Sequence, residues 1–246
     1  MKVQLRACLL ASSALLASGA LAADLPSVRP AAEPAPVFVA AGWTGFYIGG
    51  HIGWGRHDGN LTAFTPWNGF AGFPVSGLSN NSVIGGVQAG YNYQMGSIVA
   101  GVEADFSAGS LGGSSNNGGP GTWWSSRANW VGTIGPRLGV AFGDALLYAK
   151  GGLAIADLEY SHVQGGNLIS AGSTRTGWMI GAGLEYAINR NLSLKVEYNY
   201  IDLGGGRTTL PGAPVIWVQP NREIQTVKFG FNYRFSSPAS AVVASY

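Results

Sequence analysis

The chain has 246 residues, of which 46% are hydrophobic and only 11% charged, less than half the charged share of an ordinary soluble domain. A soluble surface would be poorly wetted by so few charges, yet beyond the N-terminus no run of about 18 apolar residues could serve as a transmembrane helix. The formal charge of +2 falls to zero once Lys2 and Arg6 are removed with a leader, leaving 12 bases against 12 acids and no basic run, which argues against a nucleic-acid partner.

Residues 1–22 read as a secretory signal peptide. Lys2 and Arg6 form its positive start, 7–17 its apolar centre, and Ala20-Leu21-Ala22 its cleavage site. Cys8, the single cysteine, lies near the start of that apolar segment, where a lipoprotein attachment cysteine would follow it. The mature chain therefore has no disulfide and no thiolate metal site. Residues 23–40 carry Pro26, Pro30, Pro34 and Pro36, a composition that favours extended conformations and reads as a periplasmic lead-in.

From residue 43 the apolar residues recur with period two, the signature of strands with two unlike faces. Eight strands are predicted: 43–55, 82–94, 98–106, 128–142, 146–156, 174–187, 192–203 and 223–235. In the first, Phe46, Ile48, Ile52 and Trp54 oppose Tyr47, Gly49, His51 and Gly53. In the fourth, Trp130, Ile134, Leu138 and Val140 oppose Asn129, Thr133 and Arg137. In the last, Val227, Phe229, Phe231, Tyr233 and Phe235 oppose Thr226, Lys228, Asn232 and Arg234. Pro136 removes a ladder donor inside the fourth strand, so a bulge or local break is expected there.

The connections 95–97, 143–145 and 188–191 are short, whereas 56–81, 107–127, 157–173 and 204–222 are long. Strict alternation of this kind matches outer-membrane barrels, with short periplasmic turns and long extracellular loops. Outward aromatics gather at the two strand ends: Phe46, Tyr93, Phe142, Tyr186 and Phe235 at one, Trp54, Phe106, Trp130, Trp178 and Tyr200 at the other. Two such belts are what membrane interfaces select. The expected fold is all-β, an eight-stranded antiparallel transmembrane β-barrel over 41–235 in the cell outer membrane, followed by a tail, 236–246. Its surroundings would be outer-membrane lipids and lipopolysaccharide. The sequence leaves the oligomeric state open.

Several segments resemble the small outer-membrane proteins of alpha-proteobacteria called outer-membrane immunogenic or porin-family proteins. They are residues 42–50, the Gly-x-Gln-x-Gly-Tyr-Asn-Tyr-Gln run over 86–94, Gly101-Val102-Glu103-Ala104-Asp105, 148–153, Thr176-Gly177-Trp178, 181–186 with 195–203, and Asn232-Tyr233-Arg234-Phe235. The resemblance implies an eight-stranded barrel exposed at the cell surface. It also implies that Phe231, Tyr233 and Phe235 form the terminal signal read by the barrel-assembly machinery. Two departures stand out: Pro136, and the 11 residues that follow Phe235, on which such proteins commonly end.

The inward faces should collect Glu103, Asp105, Glu185 and Glu197 with Arg137, Lys150, Lys195, Lys228 and Arg234. Charges in a narrow lumen are costly unless paired, so a salt-bridged plug is favoured over an ion-selecting constriction. No G-x-S-x-G elbow, H-E-x-x-H or phosphate-binding loop is present, so no catalytic residue is assigned and no enzyme, metal or cofactor is expected. His57 and His162 fall in loops and are candidate ligand contacts, since the resembling family includes haem binders. Loop aromatics Phe64, Trp67, Phe70, Phe73, Trp123, Trp124 and Trp217 could form an adhesive surface. The leading expectation is a structural, surface-exposed barrel that supports envelope integrity and surface interactions; a narrow channel and a haem or ligand receptor are the alternatives.

Overall fold

The computed structural model describes residues 42–58, 60–64, 69, 71–116, 122–164, 166–210, 216–220 and 222–235. The expected leader, lead-in and tail lie outside them, as do Trp67 and Phe70. Among the described residues every regular element is a strand. Eight strands close a barrel: β1 Gly45–Asp58, β4 Asn80–Met95, β5 Ile98–Ser115, β6 Thr122–Phe142, β7 Ala145–Gln164, β8 Asn167–Ala187, β9 Leu192–Asp202 and β12 Glu223–Phe235. Their order is β1-β12-β9-β8-β7-β6-β5-β4, antiparallel throughout, with β1 and β12 sealing the ring from Phe46↔Phe235 to Asp58↔Glu223. Four short strands, β2 Leu61–Phe64, β3 Phe73–Val75, β10 Thr208–Leu210 and β11 Ile216–Pro220, form a second sheet ordered β10-β11-β2-β3.

The expected faces hold along most of the ring. Phe46, Ile48, Ile52 and Trp54 are exposed on the outside of β1, while Tyr47 and His51 are buried within. The three short turns stand at one end, where Gly96 and Gly143 take positive φ that a side chain would resist. Outward aromatics pair at the other end: Trp54 with Phe229, Phe106 with Trp130, and Trp178 with Tyr200, with ring centroids 5.6–6.1 Å apart.

Two expectations need correction, and a third is met in one of its two forms. Residues 107–127 and 157–173, expected as loops, are mostly strand, and β7 joins β8 through only residues 165 and 166. Polar stretches such as Ser125-Ser126-Arg127 alternate too weakly to announce themselves as strand, yet β5 on one side and β7 on the other hold them in the ladder. Asn129 faces outward and hydrogen-bonds Asp157, because a bulge between Ala128 and Trp130 places two consecutive residues on the outer surface. Pro136 carries no bulge: β6 keeps its register with β5 through Val102↔Pro136. Around the proline, its pairing with β7 lapses between Ile134↔Leu153 and Arg137↔Lys150. The break is there without the bulge.

The interior changes character along its length. At the short-turn mouth a small apolar cluster of Trp43, Val99, Leu146, Tyr148 and Ala187 fills the ring. Polar and charged side chains occupy the middle. Beyond them lies a larger apolar core in which Ile84, Val131, Leu158, Met179, Ile201 and Ile224 of the barrel meet Leu61, Ala63, Val75, Leu210 and Val218 of the second sheet. That sheet is a lid, and its apolar face closes the far mouth.

Candidate functional site

The candidate site is the polar middle of the lumen, and the strand period of two puts its residues there. On β5, Glu103 and Asp105 share a face; on β9, Lys195, Glu197 and Asn199 do. Register then decides which strands face each other at one height. Glu103 is the hub. Its Oε1 accepts hydrogen bonds from Lys150 Nζ at 2.8 Å and Lys195 Nζ at 3.3 Å; its Oε2 accepts from the Tyr47 hydroxyl at 2.8 Å and Arg137 Nη1 at 3.1 Å. One carboxylate on β5 thereby ties together β1, β6, β7 and β9 across the lumen.

The other charges extend this lattice. Glu197 accepts from Lys195 at 3.1 Å and from the Tyr148 hydroxyl at 2.7 Å, and lies 2.7 Å from Lys150 Nζ. Glu185 takes the second arm of Arg137 at 2.9 Å, with Ser193 and Asn232 on its other oxygen. The Arg137 guanidinium also sits 3.9 Å from the centroid of the Tyr148 ring. One layer toward the lid, Lys228 donates to Asp105 at 2.6 Å, and His51 lies among Asp105, Gln88 and Ser107 at 3.4, 2.7 and 3.0 Å. Every ion-paired side chain here is at most 2% exposed.

The tyrosines owe their places to glycine. Tyr47 stands opposite Gly90, and Tyr148 opposite Gly183. A Cβ on either glycine would come within 2.4–2.6 Å of the tyrosine's ring or hydroxyl. The missing side chains let both rings lie flat against the wall and aim their hydroxyls inward.

Eight of the nine expected lumen charges are thus brought together, four carboxylates with Arg137 and three lysines. Arg234 is the exception. It sits at the short-turn mouth, donating to the carbonyls of Gly42 and Asn189, with its guanidinium 4.4 Å from the Trp43 ring centroid. It is the last inward residue of β12, one step beyond the reach of the acids, so it caps the mouth and takes no part in the lattice. Sequence reasoning placed Tyr47, His51, Gln88, Tyr148 and Asn232 inward but gave them no role, and it missed Ser193 as a partner. Inward polar residues at the height of the charges were the available signal.

The two histidines expected as loop contacts are neither in loops nor at the surface. His57 is in β1 and wholly buried, with Nε2 3.1 Å from Ser126 Oγ. His162 is in β7, buried, its ring 4.0 Å from that of Trp124. Extension of the strands past the expected loop boundaries turned both inward. Among the loop aromatics, Trp124 is buried, Phe73 packs against the lid core, and Trp123 is exposed on the outer wall. The outward Phe231, Tyr233 and Phe235 line the last strand as expected.

The comparisons with known proteins agree with this architecture. The family model described as outer membrane protein beta-barrel domain matches residues 9–235. The 31 kDa outer-membrane immunogenic protein of Brucella melitensis biotype 1 is 34% identical over 236 residues, covering 91% of this chain and 96% of that one. The 22 kDa outer membrane protein of Rhizobium leguminosarum bv. viciae is 34% identical over 171 residues, 70% of this chain and 69% of the relative. The outer membrane protein OprG of Pseudomonas aeruginosa superposes with a TM-score of 0.53 at 12% identity, over 80% of this chain and all of that structure, a likeness of fold. The chain is an outer-membrane protein and belongs to the outer membrane protein beta-barrel domain family.

Proposed function

We propose that this protein is a closed structural barrel of the outer membrane that contributes to envelope integrity and presents a rigid surface outward, without conducting solutes and without enzymatic activity. The Glu103 hub carries the reading: a carboxylate bonded to four strands leaves its layer of the lumen filled by side chains that water does not reach. An eight-stranded barrel is narrow enough for side chains alone to fill it. Apolar clusters above and below that layer add two further seals. His51, Asp105 and Ser107 have the residue types of a hydrolytic triad, but they lie between the charge lattice and the lid core, where no substrate carbonyl reaches them. A cleaved 1–22 leader and assembly through Phe231, Tyr233 and Phe235 complete the proposal.

The test is single-channel recording of the refolded mature chain in a planar lipid bilayer. We expect a silent bilayer from protein whose folding is verified by heat-dependent gel mobility. Reproducible discrete steps, altered by Lys150→Glu or Arg137→Glu, would replace this reading with that of a narrow channel.

A further inference from the structure

The lid has a second face. Its inner side, Leu61, Ala63, Val75, Leu210 and Val218, belongs to the core, so the alternate residues Phe64, Thr209, Trp217 and Gln219 point away from the barrel. Phe64 and Trp217 are direct cross-strand partners. The guanidinium of Arg207 stands 5.5 Å from the Phe64 ring centroid and 5.6 Å from that of Trp217. Arg207 is exposed and pairs with no carboxylate among the described residues. The charge pattern of the lid is one-sided: residues 59–79 and 203–222 contain no Asp or Glu, and their only charges are Arg207 and Arg222. Arg222 is spent inside, holding the carbonyls of Gly204 and Gly206 and the hydroxyl of Tyr160. Arg207 therefore remains as an outward cation, propped beside two aromatic rings and rimmed by Thr209 and Gln219.

We propose that this face of the lid binds a carboxylated polysaccharide on an opposing cell surface. A planar guanidinium accepts a carboxylate through two parallel hydrogen bonds, and its place beside two rings orders it before the ligand arrives. Aromatic side chains offer flat apolar ground to the C–H face of a sugar ring, while the threonine and glutamine can hydrogen-bond its hydroxyls. The nearest acids, Asp58, Asp202 and Glu223, flank these segments and none lies within them, so the lid strands themselves add no repulsion against a polyanion. The site rests on the closed, surface-presenting barrel proposed above, but the two are separable: a silent bilayer survives the loss of this site.

The experiment uses the full mature chain refolded into lipid vesicles and a fluorescein-labelled hyaluronan octasaccharide, read by fluorescence anisotropy. We expect salt-sensitive binding that weakens about tenfold in Arg207→Gln, the loss of one charge-assisted pair. Trp217→Ala should weaken it as well, and the carboxyl-reduced octasaccharide should not bind. Unchanged heat-dependent gel mobility of each variant shows that the barrel is intact. The proposal is overturned by no binding to wild type, by equal binding of Arg207→Gln, or by equal binding of the carboxyl-reduced sugar. Conductance in place of a silent bilayer, with sugar binding intact, would overturn the closed-barrel reading alone.

Discussion

The two halves of this barrel are built on the same alternation with opposite signs. In the half with the short turns, β7 sends Lys150 inward and Leu147 and Leu153 outward. Farther along the same strand, Ala156, Leu158 and Tyr160 point inward, while Asp157 and Glu159 stand outside. On β9 the inward series runs Lys195, Glu197, Asn199 and then Ile201. The strand period does not change; the solvent does. Lipid around the first half draws apolar side chains out and leaves polar ones in the lumen, where they must satisfy one another. Water around the second half restores the ordinary arrangement of an apolar core and a polar coat. One sheet thus behaves as a membrane protein at one end and as a soluble barrel at the other, and each half closes the lumen in its own way: by ion pairs above a small apolar cluster in lipid, by hydrophobic packing beyond it.

The largest expected effect comes from breaking the lipid-embedded half at its hub. Glu103→Gln leaves Arg137, Lys150 and Lys195 facing one another with one fewer carboxylate in a water-free layer. Breaking a buried pair by removing one partner costs about 3–5 kcal/mol. The lysines should therefore draw water into the lumen, and the urea midpoint of vesicle-refolded protein should fall by a corresponding amount. A loss under about 1 kcal/mol would mean that the layer is already hydrated and the contrast between the halves weaker than drawn.

The same inversion explains how much of the molecule was legible beforehand. Where lipid surrounds the strand, outward residues such as Phe46, Ile48, Ile52 and Trp54 make a loud periodic signal, and all eight barrel strands were found from it. Beyond the membrane the signal changes sign and thins out. Asp157, Glu159 and Ser161 on the outside of β7 resemble a polar loop until Leu158 and Tyr160 are seen to face a core. His57 and His162 were misplaced for that reason. Other features depend on distant partners: the lid pairs β2 with β11, far apart in the chain, through strands of four and five residues. Asn129 was assigned inward because a bulge shifts the phase by one residue and nothing local marks it. The charge composition of the lumen was readable from the sequence; its wiring was not, since Glu103 meets its partners through register.

A second substitution tests the far half by its own physics. Leu158 is fully buried among the apolar residues shared by barrel and lid. Leu158→Ala should cost about 2–5 kcal/mol as a core truncation, the lower values applying if the lid settles into the gap. The site of the damage matters more than its size. Hydrogen exchange should accelerate in the lid strands and the upper parts of β6, β7 and β8, while the amides around Glu103 stay protected. Equal acceleration in both halves would show one cooperative unit, and the comparison would then describe composition without describing separate stabilities.

The smallest effect marks the boundary itself. Ser161 lies on the outer wall of β7, on the same face as Glu159 and Asp157 and above Ile155 and Leu153. If water surrounds that level, Ser161→Arg adds a hydrated charge to a polar surface and should shift stability by no more than about 0.5 kcal/mol. Leu153→Arg, lower on the same face and level with Trp178 of the aromatic belt, should cost about 1–2 kcal/mol, short of the roughly 2–4 of the bilayer centre. A step between these two values, located by moving the arginine through Ile155 and Asp157, would fix the height of the lipid surface against the point where the interior turns from polar to apolar. A cost at Ser161 as large as that at Leu153 would place this wall in lipid too, and the inversion of the interior would then need a cause other than the solvent outside.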